Sequence, residues 1–390
     1  MKPTKKWLIG LERPRHGGDV WRYGDGLLDF SCSLNPLGPP GDVVRAVLGS
    51  LDKISCYPDD SCSLLKSELS MFMGVAEDLV TVGCGSTELI KAFADVFVEP
   101  GDRVLVEHPT YSEYAFYCRL AGGVVEKVPL CEEHGFTLDV DCLFEHIDSD
   151  TRAVFLCNPN NPTSRLEPKK KIMEVVEECE VRGVLVFVDE AFMDFLRDGR
   201  RSSCVPEVEG HDNLLVSRSL TKIFSIPGLR VGYGVGGRCL VEYIDKARIS
   251  WGVGVIEQLV AVELLRSCGS YLERTVSLVE QEKEYLYRSI SGISGYNAFK
   301  PDANFLFISV RELRVNAAMV KAALLGEGIL VRDCGSFGEE YSSFIRVGVK
   351  ERKPNEVLVE ALRKLPEKIH GLGGPARKKR SVTEGAMWRQ

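Results

Sequence analysis

Short apolar runs alternate with amphipathic stretches through the middle of the chain. Val104-Leu105-Val106, Ala153-Val154-Phe155-Leu156-Cys157, Val184 to Val188, Leu214-Leu215-Val216 and Leu229 to Tyr233 read as strands. Each is strand-length and apolar throughout, as a strand covered on both faces must be. Between two of them, Lys169 to Arg182 carries Ile172, Val175 and Val176 on one side, which predicts a helix. Strand, helix, strand at this spacing predicts a mostly parallel α/β sheet, whose ligands bind beyond the carboxyl ends of the strands. After about residue 250 strict alternation stops. A long helical stretch from about Ile256 to Ser289 precedes a strand at Phe305-Leu306-Phe307-Ile308. A helix near Asn316 to Gly326 and strands at Ile329-Leu330-Val331 and Phe344 to Val349 follow, which suits a smaller α+β domain. The expected organisation is residues 1–44 as an N-terminal arm and part of the small domain, 45–249 as the large ligand-binding domain, 250–367 as the small C-terminal domain, and 368–390 as a flexible basic tail containing Arg377-Lys378-Lys379-Arg380.

Composition narrows the function classes. The 390 residues are 44% hydrophobic, enough for two domains in one compact unit. A net charge of −7 gives no whole-chain reason to expect nucleic acid or an anionic membrane as partner. No apolar run approaches a bilayer span, and Met1 to Leu11 lacks the apolar stretch of a signal peptide. The 13 cysteines are scattered without a CxxC pair, and the six histidines lack ligand spacing. No metal site or disulfide framework is expected, and the cysteines read as reduced in a cytoplasmic protein.

The chemistry concentrates at predicted strand ends. Ser219-Leu220-Thr221-Lys222, with Arg230 eight residues on, puts two hydroxyls and a guanidinium near one lysine. Hydroxyl donors and an arginine fork suit a phosphate monoester, so the segment reads as a lysine carrying pyridoxal 5′-phosphate (PLP) by a Schiff base. Asp189 closes the strand Val184–Val188; a carboxylate facing a pyridine nitrogen keeps that nitrogen protonated and the ring electron-withdrawing. Asn161 lies between two prolines in Asn158-Pro159-Asn160-Asn161-Pro162-Thr163, where its amide can donate to a phenolic oxygen. Gly83-Cys84-Gly85-Ser86-Thr87 precedes a helical pattern and offers N–H donors to an anion. Tyr111, in His108-Pro109-Thr110-Tyr111, can stack on a flat ring. Each cluster alone also has an ordinary reading: a surface lysine, a capping aspartate, an Asn/Pro turn, a packed tyrosine.

In this order, glycine loop, aromatic, NPxNPT, DEA, SxTK and arginine, the clusters resemble fold-type I PLP enzymes of the class I/II aminotransferase superfamily along almost the whole chain. The resemblance implies a homodimer with active sites at the subunit interface. It implies Lys222, Asp189 and Tyr111 as catalytic residues, and a cofactor held by Gly85, Ser86, Thr87, Tyr111, Asn161, Asp189, Ser219, Thr221, Lys222 and Arg230. Tyr57 resembles the tyrosine that reaches the phosphate from the partner subunit. Within the superfamily, L-threonine-O-3-phosphate decarboxylases and histidinol-phosphate aminotransferases are most similar; both take a small phosphorylated amino compound. His16-Gly17-Gly18-Asp19 resembles the decarboxylases' HGGN, and Asp29-Phe30-Ser31 to Asn35-Pro36-Leu37-Gly38 their DFSxxxNPLG segment. Phe192 stands where the aminotransferases usually have a tyrosine that donates to the phenolic oxygen of PLP. The decarboxylase is therefore the expected activity, with a role in making the aminopropanol linker of cobalamin. The expected substrate contacts are His16, Gly17, Asn35, Asn161, Arg332 and Arg346. Asp19 in place of asparagine and Ser164 in place of glycine depart from the pattern. A DNA-binding regulator on the same fold is disfavoured, since only some forty residues precede the core, too few for a helix-turn-helix module.

Overall fold

The computed structural model describes residues 5–24 and 26–371. Its strands, in chain order, are β1 (Leu28–Asp29), β2 (Val80–Gly83), β3 (Arg103–His108), β4 (Val124–Pro129), β5 (Thr151–Cys157), β6 (Leu185–Asp189), β7 (Leu214–Ser219), β8 (Gly232–Gly236), β9 (Asn297–Ala298), β10 (Phe305–Ser309), β11 (Ile329–Leu330), β12 (Arg332–Asp333) and β13 (Phe344–Gly348). A seven-stranded sheet runs β2-β8-β7-β6-β5-β3-β4 and is parallel except for β8, which pairs antiparallel with both neighbours. The fold is therefore α/β, with a large, mostly parallel sheet beside a smaller antiparallel one. Apolar β5, β6 and β7 lie at its centre; beneath them Phe155 and Phe187 stack at 5.1 Å and Phe93 meets both edge-on. Because β2, β3, β5, β6 and β7 all point the same way, their carboxyl ends open along one edge.

Two expectations are corrected in detail. The strand expected at Leu229 to Tyr233 is displaced to Gly232–Gly236, because Leu229 and Val231 are spent in a turn, donating to Ile226 and Leu229. The long helix expected from Ile256 to Ser289 is two helices, Val255–Ser267 and Gly269–Ser291. The first packs on Ser63–Met73 under the large sheet; the second still feeds that core through Tyr271 and Val279, and its later Leu286 and Ile290 join the core of the small domain beside Arg352–Gly371. Two strands of the large sheet escaped the apolar pattern: β2 has four residues, and β4 is a half-exposed edge strand.

The small sheet runs β12-β13-β10-β9, and β1 pairs with β11. The segment after β1 continues as a bridge: Phe30 N–H donates to Leu330 O, and Gly348 N–H donates to Phe30 O, each at 2.8 Å. This threads residues 29–35 between the small sheet and the strand ends of the large one. Register places Arg332 directly across from Arg346. The helix Arg352–Gly371, held by buried Leu358, Leu362 and Leu365, continues into the start of the expected tail. Residues 372–390, with the basic run, lie outside the described residues. No helix among those described is long and apolar enough to cross a membrane.

Gly232 decides how closely β8 approaches the loop after β2. A Cβ there would overlap the backbone of Gly85 and Ser86, which cannot move aside as a side chain can. Gly232→Ala is expected to destabilise the protein by about 1–3 kcal/mol through overpacking. Gly234→Ala, which meets only side-chain methyls of Thr81, Leu89 and Leu215, is expected to cost less. Denaturant unfolding of both variants checks the order.

Candidate active site

Ser86, Thr87, Tyr111, Asn161, Asp189, Thr221, Lys222 and Arg230 come together around one cavity of about 220 Å³ at the carboxyl edge of the sheet. His16, Gly17, Arg332 and Arg346 complete its wall from the arm and the small sheet. The cavity opens into a larger groove of about 1040 Å³ lined by residues of the arm and β3 and by Ser336 and Phe337.

Asp189 ends β6, and its burial pushes its carboxyl above the usual carboxylate value, an effect opposed by donors. Tyr114 Oη donates to its Oδ2 at 2.7 Å and Ala191 N–H to its Oδ1 at 3.0 Å. Tyr114 follows Tyr111 by three residues, and the two rings meet edge-to-face at 5.5 Å. Tyr114 was not singled out from sequence; the i, i+3 spacing from Tyr111 was the available signal. Glu190, next to Asp189, serves the scaffold: it is fully buried, paired with Arg218 at 2.9 Å, and accepts from Ser203 and Cys204.

Lys222 sits on the one-turn helix Leu220–Ile223 after β7. Burial, and after it the Arg230 guanidinium, pulls its amine below the ordinary lysine value, which favours the neutral nucleophile. Its Nζ lies 3.3 Å from Thr221 Oγ1, and Thr221 pairs with Ser219 at 2.7 Å. Gly85, at φ +73°, leaves the space where a Cβ would overlap the Arg230 guanidinium. The helix Ser86–Phe97 thus begins beside Arg230, and Ser86, Thr87 and the guanidinium border the same cavity.

The Asn-Pro turn is held by its own amides. Asn160 donates to Pro109 O and accepts from Thr110 Oγ1, tying it to the Tyr111 loop; Asn158 exchanges bonds with the Glu167 backbone. Asn161 Oδ1 accepts from Arg346, so its amide nitrogen is the group left to donate. Beneath the turn, Glu107 is buried and accepts from Cys157 N–H at 2.6 Å. Arg346 also donates to Ser31 O at 2.8 Å, while its buried Nε has no partner. Burial, and after it the neighbouring Arg332, pulls Arg346 down to about 10. Arg332, lowered by burial, donates to Arg15 O and Ser336 Oγ. Neither arginine has an ion-pair partner among the described residues.

Three positions fall elsewhere. Asn35, expected at the substrate, has its bonding groups engaged: Nδ2 donates to Ile223 O and Thr275 Oγ1, both at 2.7 Å, and Oδ1 accepts from Leu37 N–H. Its own N–H donates to Lys222 O, so it buttresses the lysine's backbone and does not face the cavity. Tyr57 is 81% exposed, packed on Trp251 at 4.8 Å, away from the cavity. Ser219 is buried behind Thr221. Asp19 lines the outer groove, with Oδ1 buried and without a donor.

A model of the aminotransferase class I and II family matches residues 26–362. The chain belongs to this family. A relative from Caldanaerobacter subterraneus subsp. tengcongensis, provisionally named threonine-phosphate decarboxylase, is 34% identical over 90% of this chain and 94% of its own. The histidinol-phosphate aminotransferase of Moorella thermoacetica is 32% identical over 87% and 85%. Among solved structures, the histidinol-phosphate aminotransferase of Clostridium acetobutylicum superposes with a TM-score of 0.81 at 27% identity, covering 88% of this chain and all of that one. The fold is shared with the L-threonine-O-3-phosphate decarboxylase of Porphyromonas gingivalis, TM-score 0.78 at 21% identity over 87% of this chain and all of that one. The protein is thus a PLP-dependent enzyme of this family. The residues present fit the cofactor: a depressed lysine amine, a buried carboxylate on the cavity wall, and a helix N-terminus with an arginine kept clear of any Cβ at Gly85.

Lys222→Ala is expected to abolish the visible absorbance of lysine-bound cofactor in purified protein, measured against wild type after PLP reconstitution. Retention of the band would remove Lys222 from that role. Glu107 supplies a pH prediction. Burial raises its carboxyl from 4.5 to about 8, so the folded state holds the proton more tightly. That stabilisation is complete below pH 4.5 and is lost as pH rises through 8. Glu107→Gln keeps an acceptor oxygen but cannot ionise, so its stability is expected to fall less than that of wild type between pH 6 and 9, read by thermal unfolding of the apoenzyme.

Proposed function

We propose that the protein decarboxylates L-threonine O-3-phosphate to (R)-1-aminopropan-2-yl phosphate and CO2, in cobalamin biosynthesis. The observation that carries this reading is the pair of buried guanidinium groups, Arg346 and Arg332, on one side of the Lys222 cavity with no carboxylate partner among the described residues. Two fixed cations suit an amino substrate bearing two anions. L-threonine O-3-phosphate carries both in one molecule, a carboxylate and a phosphate; histidinol phosphate has only the phosphate, and an aminotransferase would fill both cations only with its dicarboxylate co-substrate. The His16-Gly17-Gly18 arm over the cavity, Phe192 in its wall, and the 34% identity to the provisionally named decarboxylase support the same reading.

In this reading Arg346 holds the carboxylate, its free Nε supplying a donor, and Arg332 and His16 hold the phosphate. Each charge-assisted bond is worth about 1.5–3 kcal/mol. The bound cofactor withdraws electrons from the substrate's Cα. Asp189 would offer its carboxylate to the heterocycle nitrogen of the bound cofactor, and Tyr114 holds that carboxylate in place. Which Cα bond breaks is a matter of position: anchoring both anions sets the carboxylate for departure as CO2. Lys222, having taken a proton from the substrate's ammonium group, would deliver it to Cα in place of the departed CO2.

The active unit is proposed to be a cytoplasmic homodimer. Val44, Leu48, Leu51 and Ile54 form an exposed apolar strip continuing to Tyr57 and Trp251, an area suited to burial against a second copy. That copy would bring its Tyr57 toward the cofactor phosphate. An aminotransferase acting on histidinol phosphate is the second reading, favoured by relatives of that name.

One side-by-side assay separates them. Holoenzyme given L-threonine O-3-phosphate is expected to release CO2 and the aminopropanol phosphate without a keto acid. A requirement for 2-oxoglutarate, with histidinol phosphate as the better amino donor, would establish the second reading.

A further inference from the structure

We propose that Glu113 is a positioning residue that sets specificity for the phosphorylated substrate by fixing His16 and, through it, the arm that roofs the cavity. The proposal rests on the reading that His16 meets the substrate phosphate. Glu113 is the first residue of the helix Glu113–Ala121, and only 7% of it is exposed. A carboxylate buried this far needs a partner. Its Oε1 lies 2.5 Å from His16 Nε2, on a segment ninety-seven residues earlier in the chain.

That contact has a chemical consequence. With Nε2 donating to the carboxylate, the ring's remaining nitrogen, Nδ1, is left for another group. The ring plane is restrained as well, since the His16 ring centroid lies 5.6 Å from that of Tyr111 at an interplanar angle of 43°. Tyr111, Glu113 and Tyr114 thus divide one short segment between three tasks. Tyr111 lines the cofactor cavity, Tyr114 donates to Asp189, and Glu113 takes the arm.

The arm has few other attachments beside the cavity. Gly18 N–H donates to Ser31 Oγ at 2.9 Å, and Arg332 donates to Arg15 O. The second of these uses a guanidinium that the substrate phosphate would also engage. Glu113 is different: it does not line the inner cavity, and its hydrogen bond is to His16, which does.

The test uses holoenzyme carrying Glu113→Ala, Glu113→Gln, His16→Ala, or the Glu113→Ala/His16→Ala pair. Glu113→Ala is expected to raise KM for L-threonine O-3-phosphate about tenfold, the loss of one charge-assisted contact, with a much smaller change in kcat. KM for unphosphorylated L-threonine should stay unchanged, and Glu113→Gln, which keeps an acceptor oxygen, should recover part of the loss. In the His16→Ala background, Glu113→Ala should add nothing. Trypsin cleavage after Arg15 should be faster in Glu113→Ala than in wild type, reporting the loosened arm without reference to substrate. Faster cleavage with unchanged KM would make the contact structural only and overturn the proposal. So would a KM increase that persists without His16. If wild type shows no preference for the phosphorylated over the plain amino acid, the substrate reading itself falls, and the positioning role with it; a preserved preference with no Glu113 effect overturns the positioning role alone.

Discussion

Everything at this site depends on keeping one carboxylate, Asp189, buried yet available at the end of a central strand. Burial alone favours the neutral acid, which could not hold a proton on a heterocycle. The fold opposes that tendency with donors from two directions: Tyr114 from the helix after β3, and the Ala191 N–H from the turn after β6. The turn is kept in register by Glu190, whose ion pair with Arg218 joins β6 to β7 inside the core. Removing one partner of such a pair would leave an uncompensated buried charge, a loss of about 3–5 kcal/mol. The position of Asp189 relative to Lys222, on the one-turn helix after the next strand, is thus fixed by core packing and buried hydrogen bonds.

The sequence made the parallel sheet and the cofactor residues legible for a common reason. Central strands covered on both faces must be apolar throughout, and the polar residues that end them stand out by contrast, as Asp189 does after Val184–Val188. The same reasoning fails at the periphery. β4 lies at an edge and carries Glu126 and Lys127, so no apolar run marks it. The break at Cys268 is invisible because apolar positions continue across it: Leu264, Leu265, Cys268, Tyr271 and Val279 all enter one core.

Within the site, what the sequence could not supply was the direction of each side chain. Asn35 belongs to a recognisable motif, yet its amide faces Thr275 and the Lys222 backbone. The expected substrate contact gives way to a support behind the lysine. Tyr114 and Glu113 were missed because a tyrosine and a glutamate at a helix start are common, and each has meaning only through a partner far away in the chain: Asp189 for one, His16 for the other.

The cofactor apparatus and the choice of reaction are separated in the structure. Lys222, Asp189 and Arg230 belong to the large sheet and its connections, which the family shares. Arg332 and Arg346 belong to β12 and β13 of the small sheet, where register sets them side by side. Two buried cations in adjacent positions repel each other, and each lies below its ordinary value through burial, Arg346 additionally through Arg332. The protein alone does not relieve this; it gives Arg346 a carbonyl and an amide oxygen and leaves Nε bare. An incoming pair of anions would relieve both costs at once. Asp19 works in the opposite sense. Its carboxylate lies close enough to act on Arg332, and its buried Oδ1 has no donor, so it offsets part of the positive charge at the same end of the groove. Arg332 and Asp19 thus set the charge of this end of the groove between them.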